Sequence, residues 1–161
     1  MEKVGYSTTV KPDKYDSTVL YGLEAGKYRL ALKTPKDQII NVEYTRDKSK
    51  KKAAYKKSKA IHLKSDIDSI YTSTEKAARW YKVSVSSTKK RKAVTLSKDS
   101  VGGGFKFCVY QKGKRLKTVK VTKNDKVKTV KLPKKKGAYY VKVTKLTSKT
   151  TGAYYLGTYT Y

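Results

Sequence analysis

Apolar and polar residues alternate along most of this chain. Tyr28, Leu30 and Leu32 share one side, with Lys27, Arg29 and Ala31 on the other. Tyr81, Val83 and Val85 alternate with Lys82 and Ser84, and Phe105, Phe107 and Val109 with Lys106, Cys108 and Tyr110. Val94 and Leu96 follow a basic turn, Val119 and Val121 flank Lys120, and Tyr139, Val141 and Val143 flank Tyr140 and Lys142. A period of two, with one apolar and one Lys/Ser/Thr side, is the pattern of antiparallel strands packed on one face.

The punctuation between these runs fits hairpins. Gln111-Lys112-Gly113-Lys114 and Asn124-Asp125 are short turn sequences, and Leu132-Pro133-Lys134-Lys135-Lys136-Gly137 turns the chain before the Tyr139 run. Helical signal is thin, so at most one short helix is expected, near Lys48–Lys59 or Ser73–Ala78, the latter capped by Thr74. The pattern predicts an all-β chain: an antiparallel β-sandwich, jelly-roll-like, with about eight or nine strands in the main module plus N-terminal strands. Tyr81, Val83, Phe105, Phe107, Val109, Tyr139, Val141 and Val143 are its expected core.

An internal echo bears on domain organisation. Residues 23–34 resemble residues 132–144, each a turn ending in Gly (Gly26, Gly137) followed by x-Tyr-x-apolar-x-apolar. Residues 1–50 therefore read as a partial sandwich repeat or an add-on hairpin, and residues 51–161 as the main sandwich.

Charge changes the picture more than length does. Among 161 residues, Lys and Arg number 40 and the acids 12, a formal charge of +28. Arg occurs only at Arg29, Arg46, Arg79, Arg91 and Arg115. A Lys-dominated field attracts polyanions through counterion release without the bidentate selectivity of Arg. Lys on strand faces also blocks edge-to-edge aggregation. The single Cys and single His exclude a disulfide framework and a Cys/His zinc cluster. No apolar run is long enough to span a bilayer, so no membrane insertion is expected. No charged-then-apolar leader opens the sequence; a secretion signal is expected to have been removed or never present.

From about Lys56 onward the order of motifs resembles the bacterial pre-peptidase C-terminal domain. The motifs are Ala60-Ile61-His62-Leu63, then Trp80-Tyr81-Lys82-Val83-Ser84-Val85, then Val94-Thr95-Leu96. After them come Val109-Tyr110-Gln111-Lys112-Gly113-Lys114, Leu132 to Val143, and Gly152-Ala153-Tyr154-Tyr155-Leu156. The resemblance covers the C-terminal two-thirds and implies a non-catalytic β-sandwich module of a secreted or cell-surface protein. Its Lys/Tyr-rich character is similar to modules on surface proteins of low-GC Gram-positive bacteria. The chain departs from the family where acids are usual, at Ala77, Ala78, Arg79 and Gln111. Related collagen-binding modules hold calcium with such acids. Here Asp66 and Asp68 are the one close pair after residue 50, short of the roughly 6–8 oxygens calcium takes.

Candidate chemistry is sparse. His62 is expected as a solvated strand residue, and Cys108 as a buried small hydrophobe. Val101-Gly102-Gly103-Gly104-Phe105 lacks the helix a phosphate cradle needs and reads as a turn. No catalytic residues, metal or cofactor are expected. The tyrosines are the informative set. Tyr155, Tyr159 and Tyr161 share one side of the last strand, and Tyr140 points outward beside Lys142. Such residues stack on sugars or grip a peptide, or else pair across strands to stabilise the sheet. Tyr140, Lys142, Tyr155 and Tyr159 are the candidate binding residues. The expected function is adhesion, binding or spacing, with an acidic polymer, a glycan or an extracellular protein as partner. The alternative is a polyanion-binding protein that engages wall polymer, acidic glycan or nucleic acid through a Lys-rich surface; nucleic acid is the less expected of these. A monomer is expected.

Overall fold

The computed structural model describes residues 22, 23, 25–33, 41–43, 52–64, 66–72 and 74–161. Its elements in chain order are a 3-10 turn at Lys57–Lys59, β1 (Ile61–His62), β2 (Ile67–Tyr71), β3 (Arg79–Val85) and β4 (Lys92–Gly102). Then follow β5 (Phe105–Gln111), β6 (Lys114–Val121), β7 (Val127–Lys131), β8 (Gly137–Lys145) and β9 (Thr151–Thr160). They form two sheets, β1-β3-β8-β5-β6 and β2-β9-β4-β7. All pairings are antiparallel except the two-residue β1–β3 pair, Ile61↔Tyr81 and His62↔Lys82. The expected β-sandwich is the observed fold. The 3-10 turn falls in the first segment expected to be helical, and the described residues of 73–78 hold no helix.

All eight expected core residues are buried, together with Tyr71, Leu96, Val121, Tyr154 and Leu156. The core is rich in tyrosine because each buried hydroxyl finds a partner, as a buried donor must. Tyr71 Oη reaches the carbonyls of Ala77 and Val143 at 2.8 and 3.0 Å. Tyr139 Oη reaches those of Pro133 and Lys135 at 3.2 and 3.0 Å. Tyr81 Oη hydrogen-bonds with Ser69 Oγ at 2.9 Å and with Tyr154 Oη. Between these polar ends the rings pack, Phe105 against Tyr154 at 5.0 Å and against Tyr71 at 5.7 Å.

One end of the core is closed by a charge. Arg79 is on the inner side of β3, its Cζ 4.3 Å above the Tyr71 ring. Glu75 accepts from Arg79 Nε at 2.9 Å and from a terminal nitrogen at 2.6 Å, a bidentate pair. A third bond runs from Arg79 to the Ile70 carbonyl.

The turns follow their residues. Lys112 and Gly113 have φ of 48° and 79°, the two left-handed positions of a type I′ hairpin turn. Asp125 closes the β6–β7 connection by accepting from the Thr122 N–H at 2.9 Å and the Thr122 hydroxyl at 2.8 Å. The glycine run is the β4–β5 turn: Gly103 has φ of 81°, and the Gly104 N–H donates to Thr150 Oγ1 at 3.2 Å.

The unit expected over residues 1–50 lies mostly outside the described residues, as does the question of a repeat. Within it, residues 25–33 carry no strand, although they alternate, and Leu30 and Leu32 are exposed. Gly22 docks on the sandwich. Its N–H donates to Thr151 Oγ1 at 3.1 Å, and that hydroxyl reaches the Gly22 carbonyl at 2.6 Å. A Cβ at residue 22 would lie 1.9 Å from the Tyr71 carbonyl oxygen, so the approach requires glycine. Among the described residues no helix is long and apolar enough to cross a membrane.

Candidate functional site

Alternation turns one side of each sheet to the core and the other to solvent, so the sandwich has two outer faces. They differ in chemistry.

None of the strands of the five-stranded sheet contains Asp or Glu. Lys82, Lys106, Lys120 and Lys142 alternate with core residues and point outward. Lys106 sits opposite Lys120 across the β5–β6 pair. Like charges directly opposite one another destabilise a sheet. Aromatic residues occupy the middle of this face. Tyr140 pairs with Lys82 on one side and Tyr110 on the other, and Lys142 with Trp80 and Cys108. The Trp80 and Tyr110 rings lie 5.6 Å apart. Lys142 Nζ is 5.5 Å from the Trp80 ring centre, and Lys57 Nζ, from the 3-10 turn, is 4.7 Å from that of Tyr140. Both are cation–π distances. Partial burial pushes the Tyr110 phenol above its ordinary pKa, with Cys108 beside it adding to the effect.

Cys108 is on this outer side, yet it is buried. Its Sγ lies 3.4 Å from Thr118 Oγ1. The expected burial holds, on the side of the sheet away from the core. His62 is exposed, as expected, and its Nε2 hydrogen-bonds with Ser84 Oγ at 3.1 Å. Among the described residues no three His, Cys, Asp or Glu side chains come together as a metal site would need.

The face of the four-stranded sheet is built differently. Tyr155, Gly157 and Tyr159 share the outer side of β9. Across β4 and β7 the row through Gly157 continues as Thr95 and Thr129, whose hydroxyls hydrogen-bond at 2.9 Å. On the other flank Asp66 reaches over Gly157, so that a Cβ there would be 2.0 Å from Asp66 Oδ1. These residues line a groove of about 350 Å³ between the two tyrosines. At its margin the Tyr159 and Tyr161 rings lie 5.8 Å apart, with Lys131 Nζ 5.3 Å from the Tyr161 ring centre.

The four candidate binding residues therefore do not form one surface. Tyr140 and Lys142 lie on the five-stranded sheet, Tyr155 and Tyr159 on the four-stranded one, on opposite outer faces. The cause is topological: β8 and β9 are consecutive in sequence, but residues 146–150 carry the chain from one sheet to the other. The partners each pair does have, Trp80 and Tyr110 on one face and Thr95, Thr129 and Asp66 on the other, come from segments distant in sequence. Period two places Tyr110 outward, but only sheet order brings Trp80 to it.

No family model matches the sequence, and no curated protein matches it. A solved structure similar to it is the pre-peptidase C-terminal domain of collagenase from Bacillus anthracis, 18% identical, with a TM-score of 0.46. The match covers 62% of this chain and 92% of that one. This chain is thus similar to a pre-peptidase C-terminal domain structure over most of that domain's length.

Proposed function

We propose that this chain is a non-catalytic β-sandwich module of a secreted or cell-surface protein, and that it binds an acidic polymer on the outer face of its five-stranded sheet. The observation that carries the reading is the Lys106–Lys120 pair on a sheet whose strands hold no acid. Two lysines directly opposite one another, with no ion pair to either among the described residues, repel each other, and a phosphate or carboxylate laid across them turns that repulsion into attraction. Lys82 and Lys142 extend the positive surface across β3 and β8. The Trp80–Tyr110 pair adds apolar contact area that salt does not screen. Lysines act as point charges, so selectivity among polyanions is low, and wall polymer, acidic glycan and nucleic acid are all ligands of the right charge. An adhesive role follows if that polymer belongs to a cell surface.

The test is a binding titration against wall teichoic polymer, heparin-like glycan and DNA at several salt concentrations. Binding is expected to weaken as a power of salt concentration. The double substitution Lys106→Gln with Lys120→Gln should reduce the slope by about 2, one per neutralised contact. Absence of binding to all three at low salt, or an unchanged slope in the variant, would remove the reading.

A further inference from the structure

We propose that the groove on the opposite face, between Tyr155 and Tyr159, binds a chain of uncharged sugars. The placement of the groove is the first argument. Tyr155 and Tyr159 stand four residues apart on one strand, about 13 Å at the usual strand rise. Gly157 between them gives its side-chain space to the Asp66 carboxylate, which lies over it, and the row Asp66–Gly157–Thr95–Thr129 runs from flank to flank across the sheet. At the usual inter-strand spacing this row spans about 14 Å. The result is a trough that crosses the strands, with an aromatic ring at each wall.

The second argument is chemical. The two tyrosines are 39% and 47% exposed, and among the described residues no cation covers either ring at an attractive distance, unlike Trp80, Tyr140 and Tyr161. The floor offers hydroxyls. Thr95 and Thr129 use one hydrogen bond between them, which leaves lone pairs on both oxygens and one proton. At the end of the row, Asp66 holds an exposed carboxylate that takes part in no ion pair among the described residues. A carboxylate accepts paired hydroxyl donors well. A sugar ring has this complement: C–H faces that suit the negative face of an aromatic ring, and a rim of hydroxyls that donate and accept.

The third argument is charge. In a chain of formal charge +28, the residues lining this groove include no Lys or Arg, and Asp66 is their one charge. An acidic ligand would gain no ion pair from this lining, so the ligand differs in class from that of the other face. The inference stands apart from the acidic-polymer reading and does not depend on it.

Affinity electrophoresis through gels containing soluble β-glucan, xylan or galactomannan tests it, with high salt present to silence the basic face. Retardation by at least one of these uncharged polymers is expected. Tyr159→Ala and Tyr155→Ala should each weaken it at least about tenfold, the effect of losing one stacked ring. Both side chains are exposed, so these variants should keep the parent's thermal unfolding. Gly157→Val, which pushes the Asp66 carboxylate off the floor and leaves both rings in place, should abolish retardation. Three results would overturn the proposal: no retardation by any of the polymers, retardation that survives both tyrosine substitutions, or displacement of all binding by a Lys-rich peptide with no sugar bound.

Discussion

The rings of Trp80 and Tyr110 lie 5.6 Å apart, tilted by 44°, although their strands, β3 and β5, are separated by β8. Two side chains on non-adjacent strands meet above the strand between them. Lys142 of that strand stands opposite both Trp80 and Cys108. The bridge makes an aromatic platform in the basic face, and its Tyr110 lies beside the thiol of Cys108.

Cys108 is the one cysteine of the chain, which makes it a clean reporter of that bridge. In the native protein it should react slowly with a thiol reagent, being only 5% exposed. Trp80→Ala should raise the labelling rate several-fold under native conditions and lower stability by about 0.5–1.5 kcal/mol from the lost ring pair alone. Stopped-flow labelling beside a denaturant titration separates the two effects. Equal labelling rates in both proteins would show that the platform does not shield the thiol.

Val141 lies at the centre of the five-stranded sheet and is fully buried. Val141→Asp places an unpaired carboxylate among apolar side chains, which costs several kcal/mol. That is comparable with the roughly 5–15 kcal/mol holding a domain together. Loss of the cooperative thermal transition is expected in circular dichroism.

Glu75 is the counter-charge of a nearly buried arginine. The side chains of Arg79 and Glu75 are 9% and 11% exposed. Glu75→Gln keeps the shape and removes the charge, leaving the guanidinium without its partner. A loss of about 3 kcal/mol in denaturant unfolding is expected, in the range measured for buried pairs broken from one side. A change within experimental error would mean that solvent reaches the guanidinium.

Burial pushes the phenols of Tyr71, Tyr110, Tyr139 and Tyr154 above the ordinary tyrosine range. Each folded-state pKa is raised, so the stabilisation is fully present below the unfolded value near about 10 and is lost as pH rises above it. Stability should therefore be flat toward neutral pH from these groups and fall in alkali. Phenolate absorbance followed through an alkaline titration should resolve an early class of exposed tyrosines and a late class that ionises together with unfolding. A single class titrating in the ordinary range would contradict the buried hydroxyl network.

Beyond residue 60 the alternation of apolar and polar residues was enough to place the main strands, the two-sheet class and the core, whereas residues 25–33 alternate without forming a strand. Tyr81, Val83, Phe105, Phe107, Val109, Tyr139, Val141 and Val143 are all inside because a strand's side chains alternate strictly and only one side can face the core. The hairpin at Lys112-Gly113 was legible for a similar local reason, since its two left-handed positions favour such a sequence. Alternation also put Tyr140, Tyr155 and Tyr159 outward. It did not say which sheet each strand joins, and that decides which outward residues are neighbours. Tyr140 and Tyr155, 15 positions apart in the chain, ended on opposite faces. Trp80 and Tyr110 closed on each other, and Asp66, Gly157, Thr95 and Thr129 fell into one row from four separate regions of sequence. The burial of Cys108 on an outward position belongs with these, since its Sγ meets Thr118 of the neighbouring strand β6. Period two is a property of a single strand, whereas a binding surface is a property of strand order, which long-range pairing alone establishes.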